Sequence, residues 1–298
     1  MSLRTLRLAR TSSCYTAAAK RIFSISRQDL IGIPHFAYLA WRAPAPALVL
    51  GILAAFGAPA TRAEETTALY RASWAGVPAG QIRLSLRDTG SGYRNEIAIR
   101  TEGLAALFTR FRGSAASEGT AGAGRAVLPA HYDAFYDLRK NKDRRLSMRF
   151  VRHGGMRVAE RGPDDTSSKP PLPEKFRQNV LDPLSVIAAL RQELRAGHSE
   201  FTLPVYDGSR RFDMTGRTLP KATPGDTERR VELMLRPIAG FKGETSDDGD
   251  PDSAPRPVDL AFSDDPKLMP LRMQVSVSYL PLIVEFAQWC QAGAPCGW

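Results

Sequence analysis

The sequence predicts a mainly β protein, a curved antiparallel sheet or partly open β-barrel with one packed α-helix at about residues 183–196. Short segments alternate between apolar and polar residues, turn-forming residues separate them, and one segment has helical periodicity. Such alternation leaves one face of each strand polar, which is typical of antiparallel sheets, whereas parallel strands are apolar throughout. About eight or more such strands normally close into a barrel, curl or split into two sheets.

The strands are predicted from apolar residues at every second position. The clearest lies at 81–87, where Ile82, Leu84 and Leu86 alternate with polar residues. The same alternation occurs at residues 96–100, 145–150, 230–233 and 272–279. Turn residues punctuate these segments at 88–92, 153–155 and Asp207-Gly208. The predicted chain path is therefore a meander of hairpins.

The predicted helix has a start signal, an apolar face and a stop signal. Asp182 is a preferred N-cap residue, Pro183 suits the first helical position, and Gly197 favours the C-terminal end. Its predicted face consists of Leu184, Ile187, Ala188, Arg191 and Leu194. Because four of these five are apolar or small, we expect the helix to pack against the sheet.

Other segments have weaker patterns. A short helical turn is predicted at 104–108. The segments 162–173 and 243–257 are rich in Pro, Asp, Ser and Gly and are predicted to be exposed loops.

The N-terminal region has the pattern of a secretory signal peptide. The apolar run at 47–58 follows Arg42 and precedes small residues and then Glu64. It is too short to cross a bilayer, which takes about 20 apolar residues. Cleavage after Ala63 is favoured because a polar segment follows, and Ala60 also fits. An uncleaved inner-membrane anchor is the alternative, and either reading predicts a periplasmic protein.

This pattern divides the chain into two parts. Residues 1–63 are an N-terminal extension and signal peptide, and 64–298 are a single β-rich exported domain with a Cys-containing C-terminal tail. Residues 1–41 are unusually long for the basic region of a signal peptide. An organellar transit peptide and a misassigned start codon both fit this preface.

The charge distribution argues against nucleic-acid binding. The chain has a net charge of +10, but residues 1–63 contain eight Lys or Arg and one Asp and so carry +7 of it. The remaining +3 is spread over the predicted exported domain, which lacks the concentrated basic surface that nucleic acid requires.

The two cysteines of the exported part, Cys290 and Cys296, are predicted to form a disulfide. An even pair in an oxidising compartment favours this pairing, and the five residues between them resemble a flexible loop. Free thiols are the alternative. Two thiols without a nearby His form only half of a zinc site, so no metal is predicted.

The sequence contains no catalytic constellation, so it favours a non-enzymatic protein with no cofactor. His131, His153 and His198 are isolated from one another and from cysteines. The glycine-rich segment 119–124 lacks the Lys-Ser/Thr of a phosphate-binding loop and is predicted to be a hairpin tip. The acidic segment 247–252 fails the spacing of an EF-hand.

Scattered carboxylates leave one catalytic alternative open. Asp133 and Asp137, or the adjacent Asp264 and Asp265, could supply an acid/base pair. The alternative function is therefore an envelope hydrolase that uses carboxylates such as Asp133 and Asp207.

Four segments, in this order, resemble a bacterial exported family known as domain of unknown function 3108. They contain Tyr70, Trp74, Gly76 and Gly80; the helix start Asp182-Pro183-Leu184-Ser185; the hairpin at 205–213 with Asp207 and Gly208; and residues 264–272 with Pro270. The resemblance spans roughly residues 70–285. It implies a periplasmic β-rich protein, similar in fold to the partly open barrels of envelope lipid carriers, and no catalytic residue. The loops 162–173 and 243–257 and the cysteine tail depart from the family pattern.

Two functional hypotheses follow from export, alternating strands and one apolar-faced helix. In the first, a non-enzymatic envelope protein holds an apolar or lipid-like ligand between sheet and helix, because large barrels can enclose such cavities. In the second, the core is filled and the protein contacts an envelope partner.

Overall fold

The structure of the protein is a computed structural model that describes residues 64–103, 106, 111–122, 124–138, 144–167, 170–223, 225–241, 254–277, 280–290 and 296. The predicted signal peptide with its predicted cleavage site, nearly all of the predicted turn at 104–108, and residues 243–253 of the predicted acidic loop lie outside the described residues.

Thirteen strands form one antiparallel sheet in the order β7-β6-β5-β4-β3-β2-β1-β13-β12-β11-β10-β9-β8. The strands are β1 (Glu64–Trp74), β2 (Val77–Asp88), β3 (Gly92–Thr101), β4 (Phe111–Gly122), β5 (Arg125–Leu138), β6 (Arg144–His153), β7 (Met156–Arg161), β8 (Glu200–Tyr206), β9 (Arg211–Thr218), β10 (Glu228–Ala239), β11 (Arg256–Ser263), β12 (Pro270–Val277) and β13 (Leu280–Trp289). Four of the five segments predicted from alternation lie within these strands, and the fifth lies in β12 up to Val277, with residues 278 and 279 outside the described residues. The predicted tip at 119–124 lies where β4 turns into β5, and Asp207-Gly208 joins β8 to β9.

A closing segment, residues 177–181, lies between the two edge strands of this sheet. It bridges Val158 of β7 through Gln178 and Val205 of β8 through Leu181. The sheet is therefore a nearly closed barrel, which confirms the predicted fold class. Edge strands of an open sheet carry unpaired backbone groups that can pair with other chains. Here the closing segment pairs with both edge strands and so covers part of these groups.

The antiparallel order places the strand connections at two rims. One rim carries the β2–β3, β4–β5, β6–β7, β9–β10 and β11–β12 connections. We call it the helix rim, because the C-terminal end of the helix reaches it. The far rim carries the β1–β2, β3–β4, β5–β6, β8–β9, β10–β11 and β12–β13 connections.

The helix α1 (Ser185–Ala196) lies inside the barrel. It begins two residues later than predicted, after a turn at Pro183, and ends at Gly197, whose φ is +73°. Its apolar side chains belong to clusters on several sides. Val186, Leu190 and Leu194 pack with inward residues of β8, β10 and β11, whereas Ile187 packs against two other clusters, one built mainly from β4 to β7 and one from β1, β2 and β13.

The prediction placed only one face of the helix against the sheet, but the helix is buried on more sides than that one. Val186, Ala189 and Leu190 lie off the predicted face and are nevertheless buried. The segment 186–190 is apolar without interruption, and four of its five residues are buried, with Ile187 half-buried. A helix that is apolar all round belongs in a core.

Candidate ligand-binding site

A buried polar cluster holds the N-terminal end of α1 against the inner wall. The Asp182 Oδ1 accepts hydrogen bonds from the backbone N–H groups of Leu184 and Ser185 at 2.9 and 2.8 Å. Its Oδ2 accepts one from the Ser117 hydroxyl of β4 at 2.8 Å. The carboxylate therefore caps the helix, as its sequence position predicts, and ties it to the barrel.

Burial controls the acidity of this cap. Asp182 is fully inaccessible to solvent. Burial raises the pKa of its carboxyl to about 6, although the hydrogen bonds from Ser185, Ser117 and Leu184 lower it. The cap therefore titrates close to neutral pH, well above an ordinary aspartate.

Asn95 of β3 adds a second contact at the same end of the helix. Its Nδ2 donates to the Leu184 carbonyl at 3.0 Å. Its Oδ1 is buried without a hydrogen-bond partner among the described residues. In the β3–β4 ladder Asn95 lies opposite Ser117, so both contacts come from one point on the wall. The helix begins there, part-way down the barrel.

The C-terminal end of α1 is fixed at the helix rim. The Arg191 guanidinium makes two hydrogen bonds to the Asp88 carboxylate of β2, at 3.1 and 2.9 Å, and one to the Lys267 carbonyl at 2.9 Å. Burial lowers the pKa of Arg191, and the charge of Asp88 opposes this shift. The Arg229 side chain donates to the Leu194 carbonyl at 2.8 Å. The helix therefore fills the half of the barrel nearest this rim, the helix half.

The other half of the barrel interior, the far half, is closed along β4, β5, β6 and β8 by the buried Phe111, Tyr136, Leu146 and Tyr206, but its apolar lining on β2, β3, β10 and β12 is only partly covered. On β10, Leu233 and Val231 beside the helix are 3% and 1% exposed, whereas Leu235 is half-buried. On β2, Leu84 is buried and Ile82 is half-buried. Ile99, Met273 and Val275 follow the same trend and pack against the edges of the core clusters. These side chains form the most suitable surface for an apolar ligand.

A separate groove of about 620 Å³ lies on the outer wall across β8 to β11. Its outward lining is mostly polar and includes Glu200, Thr202, Arg217, Glu232 and Asp259. Arg217 and Glu232 form an ion pair of 2.6 Å across it, with both side chains exposed. Exposed pairs of this kind contribute little to stability, and they place charged groups among the apolar side chains of the groove, such as Met234 and Pro257.

The carboxylates considered for acid/base chemistry do not converge. Asp133 lies on the outer wall of β5 and pairs with His131 at 3.1 Å. Asp207 lies in the β8–β9 turn, where it accepts backbone hydrogen bonds and where burial raises its pKa. Asp137 is exposed at the end of β5. These groups hold turns or face water at separate places.

Asp264 and Asp265 have structural partners at the helix rim. Asp264 binds Lys221 and Arg229, and Asp265 accepts hydrogen bonds from the backbone N–H groups of Lys267 and Leu268. They fix the turn between β11 and β12, and these contacts account for their positions.

The other histidines also lie in exposed pairs. His153 lies 3.4 Å from Glu160, and His198 lies 2.5 Å from Glu193. Within the described ranges, no group of three His, Cys, Asp or Glu side chains is arranged to hold a metal ion. None of the helices in the described part of the chain is long and apolar enough to cross a membrane.

A disulfide joins Cys290 to Cys296, with 5.1 Å between the Cα atoms. The Cys290 N–H donates to the Thr67 carbonyl at 2.9 Å. The bond therefore lies where β13 ends beside the beginning of β1, at the helix rim.

Comparison with known proteins identifies the family of this chain. A family model described as "Protein of unknown function (DUF3108)" matches residues 69–280. The chain belongs to this family. Among solved structures it is similar to the beta-barrel-like protein of domain of unknown function DUF1849 from Brucella abortus, at 11% identity and a TM-score of 0.47, over 76% of this chain and 96% of that chain. The comparison with curated proteins gave no match.

The residues that carry the DUF3108 resemblance have structural roles. Gly80 lies against β3, where a Cβ atom would come within 2.3 Å of the Arg100 carbonyl oxygen. Gly208 has a φ of +90° and packs against Leu146. The Pro270 carbonyl accepts a hydrogen bond from the Tyr70 hydroxyl at 2.8 Å.

The remaining motif residues also lie at turns and caps. Trp74 ends β1 opposite Leu282, and Gly76 follows in the β1–β2 turn. Pro183 precedes the helix, and the Ser185 hydroxyl donates to the Asp182 carbonyl at 2.9 Å. The polar pair Asn95 and Ser117 was not predicted, because each is a single polar residue at an inward strand position.

Proposed function

We propose that this DUF3108 protein is an exported, non-enzymatic protein of the cell envelope that holds an apolar ligand such as a lipid acyl chain. The ligand lies in the far half of the barrel, against Ile82, Ile99, Leu235, Met273 and Val275. The observation that carries the proposal is the change in burial along single strands. On β2 and β10 the inward rows are closed beside the helix and accessible beyond it.

Apolar side chains that keep accessible surface inside a barrel are a source of binding free energy. Each square ångström that a ligand covers contributes about 25 cal/mol, so a single acyl chain gains several kcal/mol from such a wall. The far half offers this wall on β2, β3, β10 and β12, on both sides of the sheet centre. The helix half is already occupied by α1.

Export is proposed on the sequence pattern of residues 47–63. Cleavage after Ala63 would leave Glu64 as the first residue, and β1 begins at Glu64. The whole barrel therefore remains after cleavage. Sequencing the N-terminus of the protein from its native envelope tests this step, and a mature chain that still contains residues before 47 would contradict it.

The ligand is tested by mass spectrometry of the protein purified from its native envelope, intact and then after organic extraction. A stoichiometric apolar adduct that is released by the solvent is expected. A clean mass without adduct, together with no binding of apolar dyes, would instead favour a partner-binding protein with a filled core.

Two adjacent residues of β10 supply a matched test of the binding surface. Leu235 faces the interior and Met234 faces outward, and both are half-buried. We expect Leu235→Gln to lower the amount of co-purified lipid several-fold because it places an amide in the apolar wall, and Met234→Gln to leave it unchanged. Equal lipid content in both variants would place the ligand elsewhere.

A further inference from the structure

The groove on the outer wall of β8 to β11 has two walls of different chemistry. One wall is a row of charged side chains that lie opposite one another in the strand ladders: Glu200, Arg217, Glu232 and Asp259. The other wall, two positions away on each strand, is uncharged and consists of Thr202, Thr215, Met234 and Pro257. The groove therefore runs across four strands, over about 14 Å, since neighbouring strands lie about 4.8 Å apart.

The floor of the groove is main chain. Phe201, Gly216 and Leu233 lie between the two walls, and the side chains of Phe201 and Leu233 belong to the core cluster inside the barrel. The backbone groups of these strands pair within the sheet. A molecule in the groove is therefore recognised by the side chains of the two walls.

The charged wall has an excess of negative charge. Its three carboxylates and one guanidinium leave two negative charges, and Arg217 pairs with Glu232 at 2.6 Å. Within the part of the chain that the structure describes, Glu200 and Asp259 form no ion pair, and both are exposed. Asp259 also lies directly opposite Glu232, where like charges repel each other. A cation beside Asp259 would relieve this repulsion.

The two carboxylates without an ion pair lie at opposite ends of the groove. Glu200 is on β8 and Asp259 is on β11, so about 14 Å of sheet surface separates them. One metal ion cannot bind both carboxylates at this distance. The charge pattern instead suits an elongated molecule with two cationic groups.

We propose that this groove binds an extended basic peptide segment of a partner protein, with two lysine or arginine side chains four residues apart. In an extended chain such residues lie on the same side and about 14 Å apart, which matches the separation of Glu200 and Asp259. The residue midway between them faces the Arg217–Glu232 pair and needs no charge. The alternate residues face Thr215 and Met234, which suits small or apolar side chains.

The peptide site is separate from the proposed ligand site. The groove lies on the outside of the barrel, whereas the apolar ligand is proposed to lie inside it. Leu235 faces the interior and does not line the groove. We therefore expect Leu235→Gln to bind peptide like the parent protein even though it loses lipid, so that either proposal can fail without the other.

Titration with two synthetic peptides, followed by nuclear magnetic resonance, tests the proposal. Both have blocked ends and the same composition: Lys-Ala-Ser-Leu-Lys, with the lysines four apart, and Lys-Lys-Ala-Ser-Leu, with the lysines adjacent. We expect the first peptide to shift the amide signals of the groove residues and to bind about threefold to fivefold more tightly, because the second can form one end contact fewer. Equal affinities, or shifts confined to other parts of the barrel, overturn the proposal.

Charge variants locate the binding energy. Glu200→Gln with Asp259→Asn should lower the affinity for the spaced peptide by at least about fivefold, since an exposed ion pair strengthens binding by up to about fivefold. The matched control is Asp164→Asn with Glu174→Gln, which makes the same change of charge at exposed positions outside the groove. The control should bind like the parent. Equal losses in both double variants would show a response to net charge alone and would overturn the assignment.

A linear amine separates peptide recognition from simple attraction of cations. Spermidine carries positive charges along a chain but has no side chains to face Thr215 and Met234. We expect it to bind the groove more weakly than the spaced peptide, and we expect high salt to weaken both because ions screen exposed charges. Spermidine that binds as tightly as the peptide would assign the groove to linear amines and contradict the proposal.

Discussion

The two halves of the barrel interior are made of the same strands, yet the half that holds the helix is filled, whereas the other is filled only along β4, β5, β6 and β8. In the helix half, α1 and the inward side chains of β2 and β10 exclude solvent. In the far half, the continuation of the same rows keeps accessible apolar surface. The difference comes from the length of the helix, because its 12 residues span about 18 Å and reach only part of the way through the barrel.

This comparison separates stability from binding. A filled core contributes to stability through burial, and its residues have little freedom to serve another purpose. Apolar surface that the fold leaves accessible is available to a ligand. We therefore expect substitutions in the helix half to alter the free energy of unfolding, and those in the far half to alter ligand content.

The largest expected effect compares two leucines on one face of β10. Leu233→Ala should lower the free energy of unfolding by about 2–5 kcal/mol, because it empties a closed part of the core. Leu235→Ala should cost about 1 kcal/mol or less, because that side chain is already partly in solvent. Chemical denaturation of delipidated protein measures both values. Equal losses would show that the far half is packed as tightly as the helix half.

The next effect concerns the cap of the helix. The pKa of the Asp182 carboxyl is about 6 in the folded protein and 3.8 in the unfolded chain. The folded state therefore binds the proton more tightly. Its contribution to stability is present below about pH 4 and is lost as pH rises through 6, by about 3 kcal/mol relative to an Asp182→Asn variant.

Denaturation of both proteins at several pH values checks this difference. The asparagine keeps an oxygen acceptor for the backbone N–H groups of Leu184 and Ser185, so the helix should remain capped. Stability curves that run parallel for the parent and the variant would contradict a raised pKa.

The smallest effect compares two arginines that bind Asp88 from the helix. The Arg191 side chain is 4% exposed and Arg195 is 44% exposed. Arg191→Met should cost about 1–2 kcal/mol, because it breaks an enclosed ion pair whose carboxylate remains partly solvated. Arg195→Met should change stability by less than about 0.5 kcal/mol. Thermal unfolding of the two variants should therefore give clearly separated midpoints, and coincident midpoints would argue against an anchor at Arg191.

Strand positions were predictable from sequence because alternation is a local property. The segment at 81–87 and the helix with its Asp182 cap were found in this way. A partly open barrel was also predictable from the number of strands, but the segment that closes it was not, because it has no strand pattern and is held by two isolated bridges. The uninterrupted apolar stretch at 186–190 is a sequence signal for the enclosure of α1. Helical periodicity alone, however, predicts a single packed face.

The candidate site was less predictable than the fold. An apolar ligand between sheet and helix followed from the strand pattern, but the division into two halves depends on where α1 stops. Ile82 and Leu84 look alike in sequence, and only their distance from the helix makes one half-buried and the other closed. The polar pair of Asn95 and Ser117 is recognisable only through its pairing across β3 and β4.

The pairing of β1 with β13 has a consequence for how the chain reaches this structure. Ala68 lies opposite Trp289, so the first strand and the last strand meet in the middle of the sheet. Contacts between such distant residues make folding slow, since the loop that joins them must close first. β1 keeps one edge unpaired until the final strand emerges, and an unpaired edge invites aggregation. We expect the newly made chain to depend on a chaperone until its last strand is available.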